Sequence, residues 1–273
     1  MRFVYANGTI GPESAAYIPV DDRGFRLGDG VFDTLPVHFG RVYQLDFHIE
    51  RLRKAMHAIA LPIVTIDWES AIQEVITRNA VTTGFVRITV SRGSGSLGYR
   101  PLPDIQPLIV IEASKTLEKS ETQPLTLGLA QTRKIPLRCL PVNHKLTHGL
   151  NSMLALQEAP DCDDMLVLNV DDTLSETATA NLFWIKDTTI FTPPLTSGCL
   201  NGATRHAVMR LHAVTEKTGT LEDIRAAEAV FITNSRLGVA PVSSLRSLKE
   251  WADEHPLITA LRQAYRQDIG YAL

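Results

Sequence analysis

Four short segments carry side chains whose types and spacing suit chemistry. In Val142-Asn143-His144-Lys145-Leu146-Thr147-His148-Gly149 a lysine stands among few other charges, just ahead of a helical pattern. A lysine held against apolar surface can attack carbonyls, although an isolated lysine is more often a solvated surface residue. In Ser175-Glu176-Thr177-Ala178-Thr179-Ala180-Asn181-Leu182-Phe183 a glutamate and an asparagine flank small residues and lead into an apolar strand. A carboxylate beneath an aromatic nitrogen would keep that nitrogen protonated; the plainer use is a turn glutamate. Gly202-Ala203-Thr204-Arg205 opens a helix, and the N–H groups of a first helical turn suit a phosphate or serve simple capping. Arg51 borders the apolar stripe of another helix, where it can reach inward to an anion or outward to water.

Rival readings are weaker. His144 and His148 stand four apart, but the glutamate of the zinc-protease pattern is missing and the intervening sequence is poor helix, so no metal site is expected. Gly93-Ser94-Gly95-Ser96-Leu97-Gly98 has dinucleotide-type glycine spacing, yet Tyr99-Arg100-Pro101-Leu102-Pro103 cannot open the helix that motif needs. No G-x-S-x-G elbow supports a serine hydrolase.

These segments need elements to position them. Ile49, Leu52, Met56 and Ile59 fall at helical spacing and predict a helix over 45–59; a second is expected over 66–79. Strands are expected around Gly8, over 85–91 and over 107–113. A polar, charged stretch at 114–123 reads as a connection between a small N-terminal α/β domain (1–113) and a larger C-terminal domain (124–273) carrying Lys145. There Leu150, Met153, Leu154 and Ala159 mark a helix, 165–169 a strand, and 181–185 with 189–192 a hairpin. Val208, Leu211 and Val214 mark a helix from about Thr204 with Gly219 as its stop; Thr220 and Asp223 resemble a capping box; 229–233 is a strand. The sum is an α+β or mixed α/β chain in two domains.

Composition bounds the setting. The 273 residues carry 44% hydrophobic and 21% charged side chains with a formal charge of −3, which fits a globular protein without a nucleic-acid or membrane-surface partner. No apolar run reaches a membrane span or a signal core, and three scattered cysteines form no disulfide or zinc framework. A cytoplasmic protein is expected.

Taken in order, the segments resemble the class IV aminotransferases, the fold-type IV enzymes of pyridoxal 5′-phosphate (PLP). Asp22-Arg23-Gly24 through Gly28-Asp29-Gly30-Val31-Phe32-Asp33-Thr34 is similar to the family's D-R-G-x-x-x-G-D-G-x-[FY]-E-T, with Asp33 in place of the glutamate. His48-Ile49-Glu50-Arg51-Leu52 resembles H-x-x-R-L, Gln157-Glu158-Ala159 follows Lys145 at the family spacing, and Glu176 with Asn181-Leu182-Phe183 matches E-x-x-x-x-N-[LI]-F. Gly202-Ala203-Thr204-Arg205 resembles G-[IV]-T-R, and 228–235 and 238–242 match the last blocks. The resemblance implies that Lys145 is the Schiff-base lysine and proton carrier, and that Glu176 pairs with the pyridine nitrogen. It implies a phosphate held by Arg51, by the N–H groups of Ala203 and Thr204 and by Ser235, with PLP between the domains of a homodimer.

Three activities occur in such enzymes: aminodeoxychorismate lyase, which releases pyruvate and leaves 4-aminobenzoate on the folate route; D-amino acid transaminase; and branched-chain aminotransferase. Arg92 to Tyr99 resembles the lyase segment R-G-x-G-x-R-G-Y, Thr34 stands where the lyase has a threonine tied to elimination, and Asn234 matches a lyase asparagine near the substrate. Leu97 replaces the lyase arginine that meets a substrate carboxylate, with Tyr99 and Arg100 as candidate substrate contacts; His148 replaces the asparagine of the lysine loop. The lyase is the favoured expectation and a transaminase the alternative.

Overall fold

The computed structural model describes residues 1–95, 98–116, 123–251 and 255–271. The chain divides into two compact units, Met1–Glu118 with His144–His148, and Lys119–Asn143 with Gly149–Leu273. The sequence assigned Lys145 to the C-terminal domain; the residues around it belong instead to the N-terminal unit. Their backbone explains this. Phe32 N–H donates to Lys145 O (2.9 Å), Thr147 N–H donates to Gly30 O (3.0 Å), and Val31 and Leu146 form a bridge. The expected connection at 114–123 lies partly outside the described residues, at 117–122.

The first unit is built from β1 (Phe3–Ala6), β2 (Thr9–Pro12), α1 (Arg23–Leu27), β3 (Gly30–His38), β4 (Arg41–Val42), α2 (Leu45–Ala58), α3 (Trp68–Arg78), β5 (Gly84–Ser91) and β6 (Leu108–Lys115). Among the described residues its strands form one antiparallel sheet in the order β2-β1-β6-β5-β3-β4. Alternation sends Val31, Leu35, Val86, Ile88, Val90 and Ile111 to one face, where Leu52 and Met56 of α2 and Ile72 and Ile76 of α3 cover them. The expected helices and strands are therefore present. Missing from the sequence reading was the full nine-residue run of β3, which carries Thr34.

The second unit adds β7 (Leu125–Leu129), α4 (Leu150–Gln157), β8 (Asp164–Leu168), β9 (Leu174–Thr177), β10 (Asn181–Lys186), β11 (Thr189–Thr192), α5 (Ala203–Leu211), β12 (Val214–Glu216), α6 (Leu221–Ala226), β13 (Ala229–Asn234), β14 (Gly238–Leu245), β15 (Lys249–Glu250) and α7 (Pro256–Asp268). The path β10-β13-β14-β7-β8-β9 returns to β10 through the Asn181–Glu176 pair, so these strands close into a ring. Leu127, Leu166, Leu182, Trp184, Val230, Ile232 and Val242 form a buried cluster. The helix from Thr204 stops earlier than expected. His212 is extended, and β-branched Val214 and Thr215 pair in parallel with β11 as an edge strand. Gly219 is no helix stop: a Cβ there would lie 2.9 Å from Leu174 and 3.0 Å from Trp184. The capping box of Thr220 and Asp223 is present. Of the apolar residues of α4, Ala155 is buried with Met165 and Val167, whereas Leu150, Met153 and Leu154 are exposed in this chain.

Candidate active site

In the first unit, glycine allows the close approach that places Lys145. A Cβ on Gly30 would meet Val90 O at 2.7 Å and Thr147 Oγ1 at 3.3 Å. Thr147 Oγ1 in turn donates to Gly28 O (2.8 Å), fixing the lysine segment against the start of β3. Lys145 is half-buried, and its Nζ lies 4.5 Å from the centre of the Phe32 ring. Strand alternation puts Phe32 and Thr34 on one face of β3 and Asp33 on the other. Arg87 pairs with Thr34 across β3 and β5, and its guanidinium stands 4.0 Å from the same Phe32 ring. Sequence reasoning missed Arg87; its only signal was a charge in an otherwise apolar strand.

Arg51 projects from α2 onto the other side of β3. Its Nε (2.9 Å) and Nη2 (2.5 Å) donate to the Asp33 carboxylate, and Nη2 lies 3.1 Å from His48 Nδ1. All three side chains are buried. Burial pushes Asp33 up, but the Arg51 charge and the His48 contact more than offset it, and its carboxyl sits well below the ordinary range. His48 is pushed down by burial despite Asp33.

The D-R-G-x-x-x-G-D-G stretch is a bracket. Asp22 caps α1 through Phe25 N–H (2.9 Å) and accepts from Ser91 Oγ. Arg23 donates to Asp29 (2.8 Å), Gly98 O (2.9 Å) and Tyr99 O (2.8 Å); Asp29 also accepts from Arg92, which holds Ile59 O and Ala60 O. Tyr99 and Arg100, the candidate substrate contacts, are exposed in this chain. Leu97 lies outside the described residues.

In the second unit, Glu176 and Asn181 face each other across the turn between β9 and β10, which is why their spacing of five matters. Thr177 and Thr179 hold that turn by donating to buried Asp164 (2.7 and 2.6 Å). Glu176 Oε2 accepts from Leu200 N–H (2.9 Å) and Asn181 Nδ2 (3.3 Å); its Oε1 accepts from Lys134 Nζ. Asn181 Nδ2 also donates to Leu200 O (2.7 Å), tying the carboxylate to the turn before α5. Gly202 is required there, because a Cβ would stand 2.1 Å from Asn181 Oδ1. No side chain caps α5, so the first turn at Ala203 and Thr204 presents N–H groups suited to an anion. Ser235 lies in the β13–β14 turn, half-buried. Asn234 is used within the fold: Nδ2 donates to Thr179 O (3.2 Å), and Oδ1 accepts from Arg236 N–H (2.9 Å) and Leu237 N–H (2.7 Å).

In the first unit Lys145 lies against Phe32, on the β3 face that also carries Thr34, while Arg51 is paired with Asp33 on the opposite face; in the second Glu176 is tied through Leu200 to the turn that precedes Ala203 and Thr204. An uncapped helix N-terminus with a glycine cradle, a buried carboxylate already furnished with N–H donors and an amine beside an aromatic ring fit PLP.

A strand-rich ring with an uncapped helix and an α/β unit that presents a lysine are the parts of a fold-type IV enzyme. Residues 30–245 match the family described as amino-transferase class IV, and the chain belongs to that family of PLP-dependent enzymes. Aminodeoxychorismate lyase of Vibrio harveyi is 30% identical over 84% of this chain and 88% of its own. A D-alanine aminotransferase of Listeria monocytogenes is 26% identical over 98% and 96%. The branched-chain amino acid aminotransferase of Escherichia coli superposes with a TM-score of 0.93 at 23% identity, covering 97% of this chain and 94% of that one. Among the described residues no helix is long and apolar enough to cross a membrane.

Proposed function

We propose that this enzyme is an aminodeoxychorismate lyase, releasing pyruvate and leaving 4-aminobenzoate. The observation that carries the reading is the shared face of β3, where Thr34 follows the Phe32 ring that lies 4.5 Å from Lys145 Nζ. A hydroxyl and a proton-carrying amine on one face suit elimination, which needs a base at one carbon and a donor at the departing oxygen of the next. PLP, when bound, would supply an electron sink for the amine-bearing carbon. Lys145 would hold the cofactor and then take the proton from that carbon. Thr34 donates a hydrogen bond to the departing oxygen. Glu176 would face the ring nitrogen, and the N–H groups of Ala203 and Thr204 with Ser235 would hold the phosphate; Arg51, held by Asp33 in this chain, would reach the phosphate only by sharing its guanidinium with that carboxylate. Arg87, on the Thr34 face, takes the substrate carboxylate that Leu97 cannot.

Pyruvate release from aminodeoxychorismate, followed by a coupled assay, tests this. Equal yields of pyruvate and 4-aminobenzoate are expected. Conversion of D-alanine without pyruvate release from aminodeoxychorismate would assign the chain to the D-amino acid transaminases, the reading that Leu97 favours. Replacing Lys145 with Ala should abolish turnover and the near-visible band of the bound cofactor. We also propose a cytoplasmic homodimer; exposed Leu150, Met153 and Leu154 on α4 and Tyr17, Val20 and Phe25 near α1 support the dimer, and sedimentation velocity tests that part.

A further inference from the structure

Lys134 was no part of the sequence reading, yet it is among the most firmly held lysines of the second unit. The backbone around it is fastened at several points. Glu158 accepts from Gln131 N–H (2.5 Å) and Thr132 N–H (2.8 Å), Asn151 Nδ2 donates to Arg133 O (3.0 Å), and Lys134 N–H donates to Leu168 O (2.8 Å). Two consecutive cations are then sent different ways. Arg133 reaches Asp172, whose side chain is 72% exposed, whereas Lys134 turns to Glu176, where the two side chains are 14% and 10% exposed. Surface ion pairs are weak and replaceable; a pair this buried is kept only with its charges matched.

We infer that Lys134 is a positioning residue which, through Glu176, sets how tightly the cofactor's ring nitrogen keeps its proton. The inference rests on the proposed role of Glu176. Oε2 is fixed by the Leu200 and Asn181 N–H groups and Oε1 by the Lys134 ammonium, so the carboxylate has one orientation. The ammonium also offsets the negative charge that favours a protonated ring nitrogen. Removing it leaves the full carboxylate charge to the ring, and the proton is held more strongly.

The test uses enzyme loaded with isotope-labelled PLP, with the ring nitrogen's NMR shift followed against pH. Lys134→Gln keeps an N–H donor but removes the charge, Lys134→Arg keeps both, and Lys134→Met removes both. With Lys134→Gln and Lys134→Met the ring proton should be lost about one pH unit or more higher than in wild type, tenfold in proton affinity. Lys134→Arg should follow wild type, and Glu176→Gln should lose the proton at lower pH. Circular dichroism checks that each variant is folded, and either neutral variant suffices. Curves and limiting shifts for the neutral variants that superimpose on wild type, while Glu176→Gln is displaced, overturn the role of Lys134. A Glu176→Gln curve that superimposes on wild type overturns the assignment of Glu176 beneath it.

Discussion

Asp33 stands where the family resemblance has a glutamate, and its shorter side chain still takes both Nε and Nη2 of Arg51. Burial raises its carboxyl, and Arg51 and His48 more than reverse this, so its folded value lies below the ordinary 3.8. The stabilisation is therefore complete above 3.8 and is lost as pH falls through the depressed value. Asp33→Asn removes the negative charge from a buried ion pair and should cost about 3–5 kcal/mol in urea unfolding near neutral pH. The gap between wild type and variant should close as pH falls below 3.8 through the depressed value; a gap independent of pH down to strong acid would refute the pairing. A different residue gives a second check. The Cys199 thiol is pushed up to about 11, first by burial and then by the Glu176 charge, whereas Cys139 is exposed. A thiol reagent at neutral pH should label Cys139 and leave Cys199 unmodified until the chain unfolds.

At the scale of elements, the turn between β9 and β10 and the start of α5 act together through Asn181. A methyl at Gly202 would stand 2.1 Å from Asn181 Oδ1 and must push that side chain away from both Glu176 and Leu200. Losing such a hydrogen bond to a charged group costs about 1.5–3 kcal/mol, so Gly202→Ala should weaken PLP binding at least about tenfold in a titration of cofactor-free protein. Unchanged affinity would mean that the turn and the helix are not coupled. This pair was legible in the sequence because its members are five residues apart across one turn. So were α2 and α3, whose apolar spacing matches the face they bury. Lys134 was not legible, since its partner lies 42 residues away and only the closing of the ring brings them together. The end of α5 was overrun because Val214 fits a helical stripe and a strand edge equally well, and pairing with Ile190 decides between them. The bracket formed by Asp22, Arg23 and Asp29 had been visible only as a signature; its work is to tie down the backbone at Gly98 and Tyr99.

For the whole molecule, the first unit is assembled from two separate stretches of chain. A fragment ending before residue 144 lacks the acceptor for Phe32 N–H and the donor for Gly30 O. Its Phe32 amide should exchange rapidly with solvent, and adding a peptide of residues 143–149 should slow that exchange; slow exchange in the fragment alone would contradict the pairing. The same arrangement sets an order on biosynthesis. Nascent chains tend to fold domain by domain from the N-terminus, at about 5–20 residues per second of synthesis. Here the N-terminal sheet emerges with one edge of its lysine cradle vacant, and residue 148 must leave the ribosome before the cradle can be filled. The amine proposed to carry the cofactor thus has no place to sit until the N-terminal sheet has already been made, and on that proposal loading with cofactor must follow the synthesis of the whole first unit.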